Sequence, residues 1–414
     1  MTISRLSLIL AGVVIVGLAS GCTGKKPVTL DEALSFYREN KLEQALPIFE
    51  QLVAEDAANW QKQVWLAETY RRLGKKGEAV KAARRAIDLN PNSSFAHTVL
   101  AEASNPVLGE WSEANSDTTW FHLMKAIECD SSDGHPWLVI WGEAVHRGEY
   151  PLMGKALRRL VESGFLTKAA LAYGRWMLRG LPKDAILLTN GDMDTYPPGA
   201  VQELEGFRKD VAIVNRGALN EQWYARFIRD NAKVPLPFDD ASLDRLESFK
   251  DSSGNIIKPS DQIFRAWLEQ KSKGVLKRPL AVAITVEESY YSTARDNMRY
   301  AGAFLIWTPG TGESTPDITA LLAALEGVKP EDFSGPWVSE QDRSPIRRLF
   351  TKNIVQNVTR SAIVSGEMLL EKGRSADAQR WANWADQLDK TAELGPVFAE
   401  RIGQLQSRVA KAQK

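Results

Sequence analysis

The 414-residue chain is short of the side chains that carry most enzyme chemistry. It has two cysteines, Cys22 and Cys129, and four histidines, His97, His122, His135 and His146. Two cysteines allow at most one internal disulfide, which excludes a disulfide-stapled scaffold. None of the histidines stands at metal-ligand spacing with a neighbouring carboxylate pair, so each is read as a packing residue. Gly-x-Ser-x-Gly, a phosphate-binding glycine loop and Cys-x-x-Cys are all missing. The sequence therefore nominates no catalytic residue, no metal ligand set and no cofactor. An excess of one charge is lacking too. Its 52 basic and 52 acidic residues cancel, which removes long-range attraction to nucleic acid or anionic lipid. Also absent is any apolar stretch of the roughly 20 residues that a bilayer-spanning helix needs.

What is present begins at the N-terminus. Arg5 is the one charge before Lys25, and Leu6–Leu18 is apolar apart from Ser7 and two glycines. That run suits a secretory signal (residues 1–21) rather than a permanent span. It ends in Leu18-Ala19-Ser20-Gly21-Cys22, which resembles the lipobox of bacterial lipoproteins, with Leu18 one place early. An ordinary signal cleaved after Ser20 is the competing reading. By resemblance, Cys22 carries the lipid and ties an exported chain to a membrane surface, where several acyl chains make a stable anchor. Thr23, where Asp would retain a lipoprotein at the inner membrane, implies the outer membrane facing the periplasm. With Cys22 acylated, Cys129 is left as a small buried apolar residue.

Residues 22–165 read as helical repeats. One unit runs from Trp60 to Ser93, with Leu66, Ala67 and Tyr70, then Gly74 at the turn, then Ala79, Ala83 and Ala86, and Pro91 as a stop signal. Ala33, Phe36, Asn40, Ala45 and Phe49 repeat this pattern upstream. A third, stretched unit is opened by Leu100 and Ala101 and closed by Ala126 and Ile127, with an inserted loop over residues 105–117. A fourth shows Trp141, Gly148, Leu157 and Leu160. The pattern resembles the tetratricopeptide repeat, with its period of about 34 residues. That resemblance implies a concave groove for a protein or peptide partner. The groove positions are Leu34, Tyr37 and Arg38 in the first unit and Val64, Glu68, Arg71 and Arg72 in the second. Solvated helix faces, or a groove filled by the rest of the chain, are the alternatives.

Residues 166–310 change character. A helix is expected over 169–179, followed by strands over 185–189, 211–215, 280–286 and 304–307. Helices are expected over 198–208, opened by Pro198, and over 219–230. Strands alternating with helices predict an α/β domain with a mainly parallel sheet. The segment Thr189-Asn190-Gly191-Asp192-Met193-Asp194-Thr195-Tyr196-Pro197, continued by Gln202-Glu203, Gly206, Arg208 and Trp223-Tyr224, is similar to the soluble C-terminal region of a family of multi-pass bacterial membrane proteins related to protein O-mannosyltransferases. In that family the glycosyl-transfer chemistry is expected in the membrane part, which this chain lacks. The resemblance thus implies an accessory module. Asp192 and Asp194, with Thr195, Tyr196 and Arg208, form a candidate ligand or divalent-metal loop, glycan-related or hydrolytic, because ligands of open α/β sheets gather beyond strand C-termini. The competing reading is a structural turn locked by Asp caps or by Arg208 pairing with Asp192 or Asp194. Residues 311–414 read as a linker, a repeat-like helix pair around Gly366–Ala385, and a last helix over 396–414 that caps the structure.

Overall fold

The computed structural model describes residues 28–108, 111–310, 316–327, 329–335, 348–392 and 394–414. The expected signal segment and Cys22 lie outside the described residues.

Helices α1 (Leu30–Arg38) and α2 (Leu42–Glu55), α3 (Trp60–Arg72) and α4 (Lys76–Leu89), α5 (Ser94–Ser104) and α6 (Ser116–Cys129), and α7 (His135–His146) and α8 (Tyr150–Glu162) form four antiparallel pairs of tetratricopeptide type. The first helices start where side chains satisfy orphan amides. Thr29 accepts from the Glu32 N–H, Asn59 from Gln61 and Lys62, and Ser93 from Ala96. Gly74, at φ +76°, makes the left-handed turn between α3 and α4. Ala67, Ala79, Ala83 and Ala86 are fully buried, so the two backbones of that unit approach closely. The inserted loop of the third unit holds a short 3-10 turn at Pro106–Leu108.

Helix α9 (Lys168–Arg179) leads into the sheet. Next come β1 (Ile186–Thr189), α10 (Asp192–Glu205), β2 (Ala212–Asn215), α11 (Gln222–Ala232) and α12 (Asp240–Leu243). A small ribbon of β3 (Phe249–Lys250) and β4 (Ile256–Ile257) precedes α13 (Pro259–Ser272). The chain then runs through β5 (Leu280–Ala283), α14 (Glu288–Tyr291), β6 (Met298–Tyr300), β7 (Phe304–Trp307) and α15 (Ile318–Gly327) to α16 (Arg348–Glu371), α17 (Ser375–Ala392) and α18 (Pro396–Ala412).

Among the described residues the main sheet has the order β2-β1-β5-β7-β6. β1 pairs in parallel with both β2 and β5, as expected of an α/β unit. The β6–β7 hairpin adds an antiparallel edge against β5, so the sheet as a whole is mixed. Ile186, Leu187 and Leu188 are fully buried, as a central parallel strand covered on both faces requires.

Helix α10 begins at Asp192, six residues before the expected start at Pro198. Pro197 and Pro198 sit inside it. The prolines are tolerated because the first turn is held from outside: the Asp194 carboxylate at the third helical position accepts the Asn190 and Gly191 N–H groups at 2.8 and 2.9 Å. Gly174 of α9 makes room for Pro197, since a Cβ there would lie 2.6 Å from its carbonyl carbon.

The largest apolar core runs without a break from Ala101 to Val409. It joins the later repeats, the sheet and the C-terminal helices. α16 packs on α9, where the Thr167 and Thr351 hydroxyls meet at 3.2 Å. The Ser361 hydroxyl donates to the Gly302 carbonyl at 2.6 Å beside the sheet edge. Residues 396–412 form the expected last helix, its Phe398, Ile402, Leu405 and Val409 buried.

Candidate functional site

The first helices of the four repeats share a polar seam. The Tyr37 hydroxyl of α1 donates to Glu68 Oε1 of α3 at 2.8 Å. Arg71 forks onto the same carboxylate, Nε to Oε2 at 2.7 Å and Nη2 to Oε1 at 2.9 Å. Its Nε also lies 3.3 Å from Glu102 Oε2 of α5, and His135 Nε2 of α7 lies 3.3 Å from Glu102. The repeat period explains the succession, because equivalent positions on stacked units become neighbours. Burial alone would disfavour these charges, and mutual pairing offsets it. Burial pushes the Glu102 carboxyl up, but Arg71 and His135 outweigh it and hold it well below the usual range. Burial likewise opposes the His135 charge, yet Glu102 leaves its pKa raised.

This seam corrects the expected groove. Leu34 and Val64 are buried in apolar cores, and Tyr37 and Glu68 are 1% and 0% exposed, so these four hold the repeats together and offer a partner nothing. Arg38 and Arg72 remain exposed. Arg72 lies over the Tyr37 ring at 5.1 Å and donates to Asn40 Oδ1 at 2.6 Å. Arg71 alone of the seven reaches the cavity wall described next.

That cavity, of about 830 Å³, opens where the concave side of α5 and α7 meets the C-terminal ends of β1 and β2. Arg71, Glu102 and His135 form one wall. Trp141 and Glu143 of α7 and Trp223 of α11 form another. The loop Asn190–Asp194, with Asn215 and Thr285, closes the sheet side. The Tyr196 hydroxyl donates to the Leu138 carbonyl at 2.9 Å, and its ring meets Trp141 edge-on at 5.3 Å. His146 stacks on Trp223 at 4.9 Å. These contacts fix the α/β unit against the repeats.

The five loop residues named from the sequence divide sharply. Asp194 is 1% exposed and saturated: besides two backbone N–H groups it accepts the Thr285 hydroxyl. Thr195 Oγ1 meets Thr189 Oγ1 at 2.6 Å and accepts from Asn215 Nδ2 at 3.1 Å, so it ties β1, β2 and α10 together. Tyr196 is a buried strut between units. Arg208 is not at the loop at all. It forks onto Asp210 at 2.8 and 2.9 Å and donates to the Leu178, Leu181 and Pro182 carbonyls, so its expected pairing with Asp192 or Asp194 is replaced by a clamp at the opposite end of the strands.

Asp192 is different. It stays open to solvent, but inside a recess with protein on most sides. Incomplete hydration there, with the Glu102 and Asp194 charges nearby, pushes its carboxyl up to about 6.

Glu102, His135, Trp141, Trp223 and Asn215 line the cavity, yet the sequence reading did not name them as site residues. The one available signal was Glu102, a repeat period after Glu68. Among the described residues no group of three His, Cys, Asp or Glu could hold a metal ion, and no helix is long and apolar enough to cross a membrane. His97 and His122 meet each other instead, Nδ1 to Nδ1 at 2.8 Å. Cys129 is half-buried rather than buried, with Sγ 3.8 Å from the Pro91 carbonyl.

Residues 38–116 match the family model described as anaphase-promoting complex, cyclosome, subunit 3, and residues 170–263 match TMEM260-associated domain 2. No curated protein sequence matches the chain significantly. Among solved structures, it is similar to TTC0263, a thermophilic TPR protein in Thermus thermophilus, with TM-score 0.32 and 17% identity over 52% of this chain and 93% of that one. It is also similar to MamA, with TM-score 0.29 and 13% identity over 50% and 100%, and to yeast Tom70, with TM-score 0.25 and 12% identity over 94% and 62%. The chain is thus a tetratricopeptide-like helical-repeat protein carrying a TMEM260-associated domain that contains the Asp192 loop.

Proposed function

We propose that this protein is a non-enzymatic docking scaffold on a bacterial membrane surface. Lipid on Cys22 anchors it, at the outer membrane facing the periplasm, and a polypeptide partner from an envelope-assembly complex engages the cavity between repeats and sheet. The observation that carries this reading is the cavity itself. It is roomy enough for a few side chains, and it is walled by the first helices of a tetratricopeptide-like array, a fold that serves as a scaffold for protein partners. The exposed apolar pair Val107 and Leu108 at its edge adds a hydrophobic lip. The anchor rests on Leu18-Ala19-Ser20-Gly21-Cys22. Few residues separate Cys22 from α1, so the array would sit close to the bilayer.

The test combines both halves. A photocrosslinking residue at position 108, used in native membranes, gives a defined adduct by mass spectrometry that the Trp141→Ala plus Trp223→Ala variant loses. An adduct pattern indifferent to that change rules the cavity out as the docking site. Cys22→Ser releases the protein from membranes, and a wild type that never takes up labelled palmitate disproves the anchor.

A further inference from the structure

Acidic and basic residues balance over the chain but not over its surface. Ile186, Ala212 and Leu280 are register partners in the parallel part of the sheet, and a lysine stands three places before each: Lys183, Lys209 and Lys277. The alignment continues past the strands. Arg278 Nε donates to the Asp184 carbonyl at 2.7 Å, and the Asp184 N–H donates to Asp210 Oδ2 at 2.9 Å. The residues just inside the three lysines are thus fastened to one another. Parallel strands lie about 4.8 Å apart, which sets the lysines in a short row across the N-terminal edge of the sheet. Lys233, just past the end of α11, joins the row, because Arg278 Nη1 donates to its carbonyl at 2.9 Å.

All four lysines are exposed, and little of their charge is cancelled locally. Asp210 is held by Arg208, Asp230 by Arg229 and Glu269 by Lys273. Asp184 is the one neighbouring carboxylate without an ion pair among the described residues. Burial, and after it the Lys277 charge, holds the Lys271 ammonium below its ordinary pKa, as expected beside uncompensated positive charge. An independent observation adds an apolar group to this edge. The turn between α13 and β5 leaves Val275 61% exposed between Lys273 and Lys277. An exposed aliphatic side chain set among lysines suits the boundary of an anionic bilayer. There the apolar group enters the acyl region, while the long lysine stems keep their ammonium groups among the phosphates. A polyanion in solution would engage the lysines but gain nothing from Val275.

We infer that the N-terminal edge of the sheet is a second membrane contact, with Lys183, Lys209, Lys233 and Lys277 against the phosphates of an anionic phospholipid surface and Val275 dipped into it. This contact rests on the membrane-surface reading above, but it is separate from the lipid on Cys22 and from the cavity. The cavity lies at the other ends of the same strands, and four strand residues span about 13 Å. The contact therefore turns the cavity away from the bilayer, toward a partner. A lipid anchor alone leaves the body free to pivot, and a second contact fixes which way it faces.

Amide hydrogen exchange on the full-length protein, read by mass spectrometry, tests the contact. The protein is mixed with phosphatidylcholine vesicles or with vesicles in which about a third of the lipid is phosphatidylglycerol. Residues 273–277 should exchange at least about fivefold more slowly on the anionic vesicles, and the difference should vanish in about 0.5 M salt. Residues 105–108, at the cavity edge, should exchange alike on both. Lys183→Gln plus Lys209→Gln plus Lys277→Gln should abolish the protection, while arginine at the same three positions keeps it and circular dichroism shows an unchanged fold. Equal exchange of 273–277 on the two vesicle types overturns the contact. Protection that survives the triple glutamine change overturns its assignment to this row. Protection by soluble polyphosphate that equals that of the anionic vesicles, and is indifferent to Val275→Ser, overturns the bilayer as the occupant. A protein that leaves phosphatidylcholine vesicles but stays on the anionic ones, with 273–277 protected, supports this contact while contradicting the lipid anchor.

Discussion

Tyr37 and Glu68, on neighbouring repeats, are joined by a 2.8 Å hydrogen bond with neither side chain exposed. Glu68 also receives the Arg71 fork, so one carboxylate fastens two repeats and orients the residue nearest the cavity. Glu68→Ala removes the acceptor of the Arg71 fork and of the Tyr37 hydroxyl, with Glu102 left to face Arg71, and should destabilise the fold by about 2–4 kcal/mol, whereas Tyr37→Phe should lose only about 1–2 kcal/mol. Urea denaturation of both variants measures the difference. Equal, small losses would mean that the seam adds little to the coupling of the first two repeats.

The two aspartates of the loop should behave oppositely. Asp194→Ala removes the acceptor for two backbone N–H groups and Thr285, with an expected loss of about 1–3 kcal/mol. Asp192→Ala removes a carboxylate that has like charges for company, and should be neutral or slightly stabilising. Thermal melts of the pair at pH 8 decide the matter. Comparable destabilisation by both would show that Asp192 has a structural partner.

His97 and His122 make a pH-sensitive contact. The Pro91 carbonyl, 3.0 Å from His97 Nε2, can only accept, so Nε2 carries a proton. His97 Nδ1 is then the acceptor, and His122 Nδ1–H donates to it. Burial lowers both pKa values, and the neighbouring His97 charge helps bring His122 down to about 4. The unfolded chain therefore takes protons first as pH falls. Stability from this pair is complete above the ordinary imidazole pKa of about 6.5 and declines toward pH 4. Solvent screening at half-buried His122 limits the loss to about 1–2 kcal/mol. Urea midpoints at pH 8 and pH 5 should differ more in the wild type than in His122→Gln. Equal differences would disprove the linkage.

Gly174→Ala tests the seating of the unexpected prolines. The added Cβ would lie 2.6 Å from the Pro197 carbonyl carbon and oxygen, and backbone atoms cannot swing aside. A net loss of about 1–3 kcal/mol is expected, although alanine is the better helix former. An unchanged thermal midpoint would mean that α9 and α10 separate freely.

The repeats were legible because small residues and Gly74 recur at a fixed period, and the strands because Ile186–Leu188 and Phe304–Ile306 are dense apolar runs. The start of α10 was not. Pro197 and Pro198 argue locally for a helix beginning at proline, and only the distant Gly174 and the reach-back of Asp194 allow it to begin earlier. The cavity was legible in halves. Asp192 was found as part of a loop, and Arg71 as a groove position, but nothing in the order of residues says that Glu102 and Asp192 share one space. The same holds for Arg208, whose partners at Leu178, Leu181 and Pro182 are backbone atoms that leave no trace in residue types.

The apolar interior is not one body. Ala33–Leu66 and Val64–Ala103 enclose two small cores, apart from the large one that spans the rest. A force applied to the chain ahead of α1 therefore meets a small core, then another, and only then the main mass. The α1–α2 pair should come away first and leave the cavity intact, whereas loss of the second core would carry off Arg71 and Glu102 from its wall, so that slack can be let out between a fixed point and the binding face only to the length of the first pair.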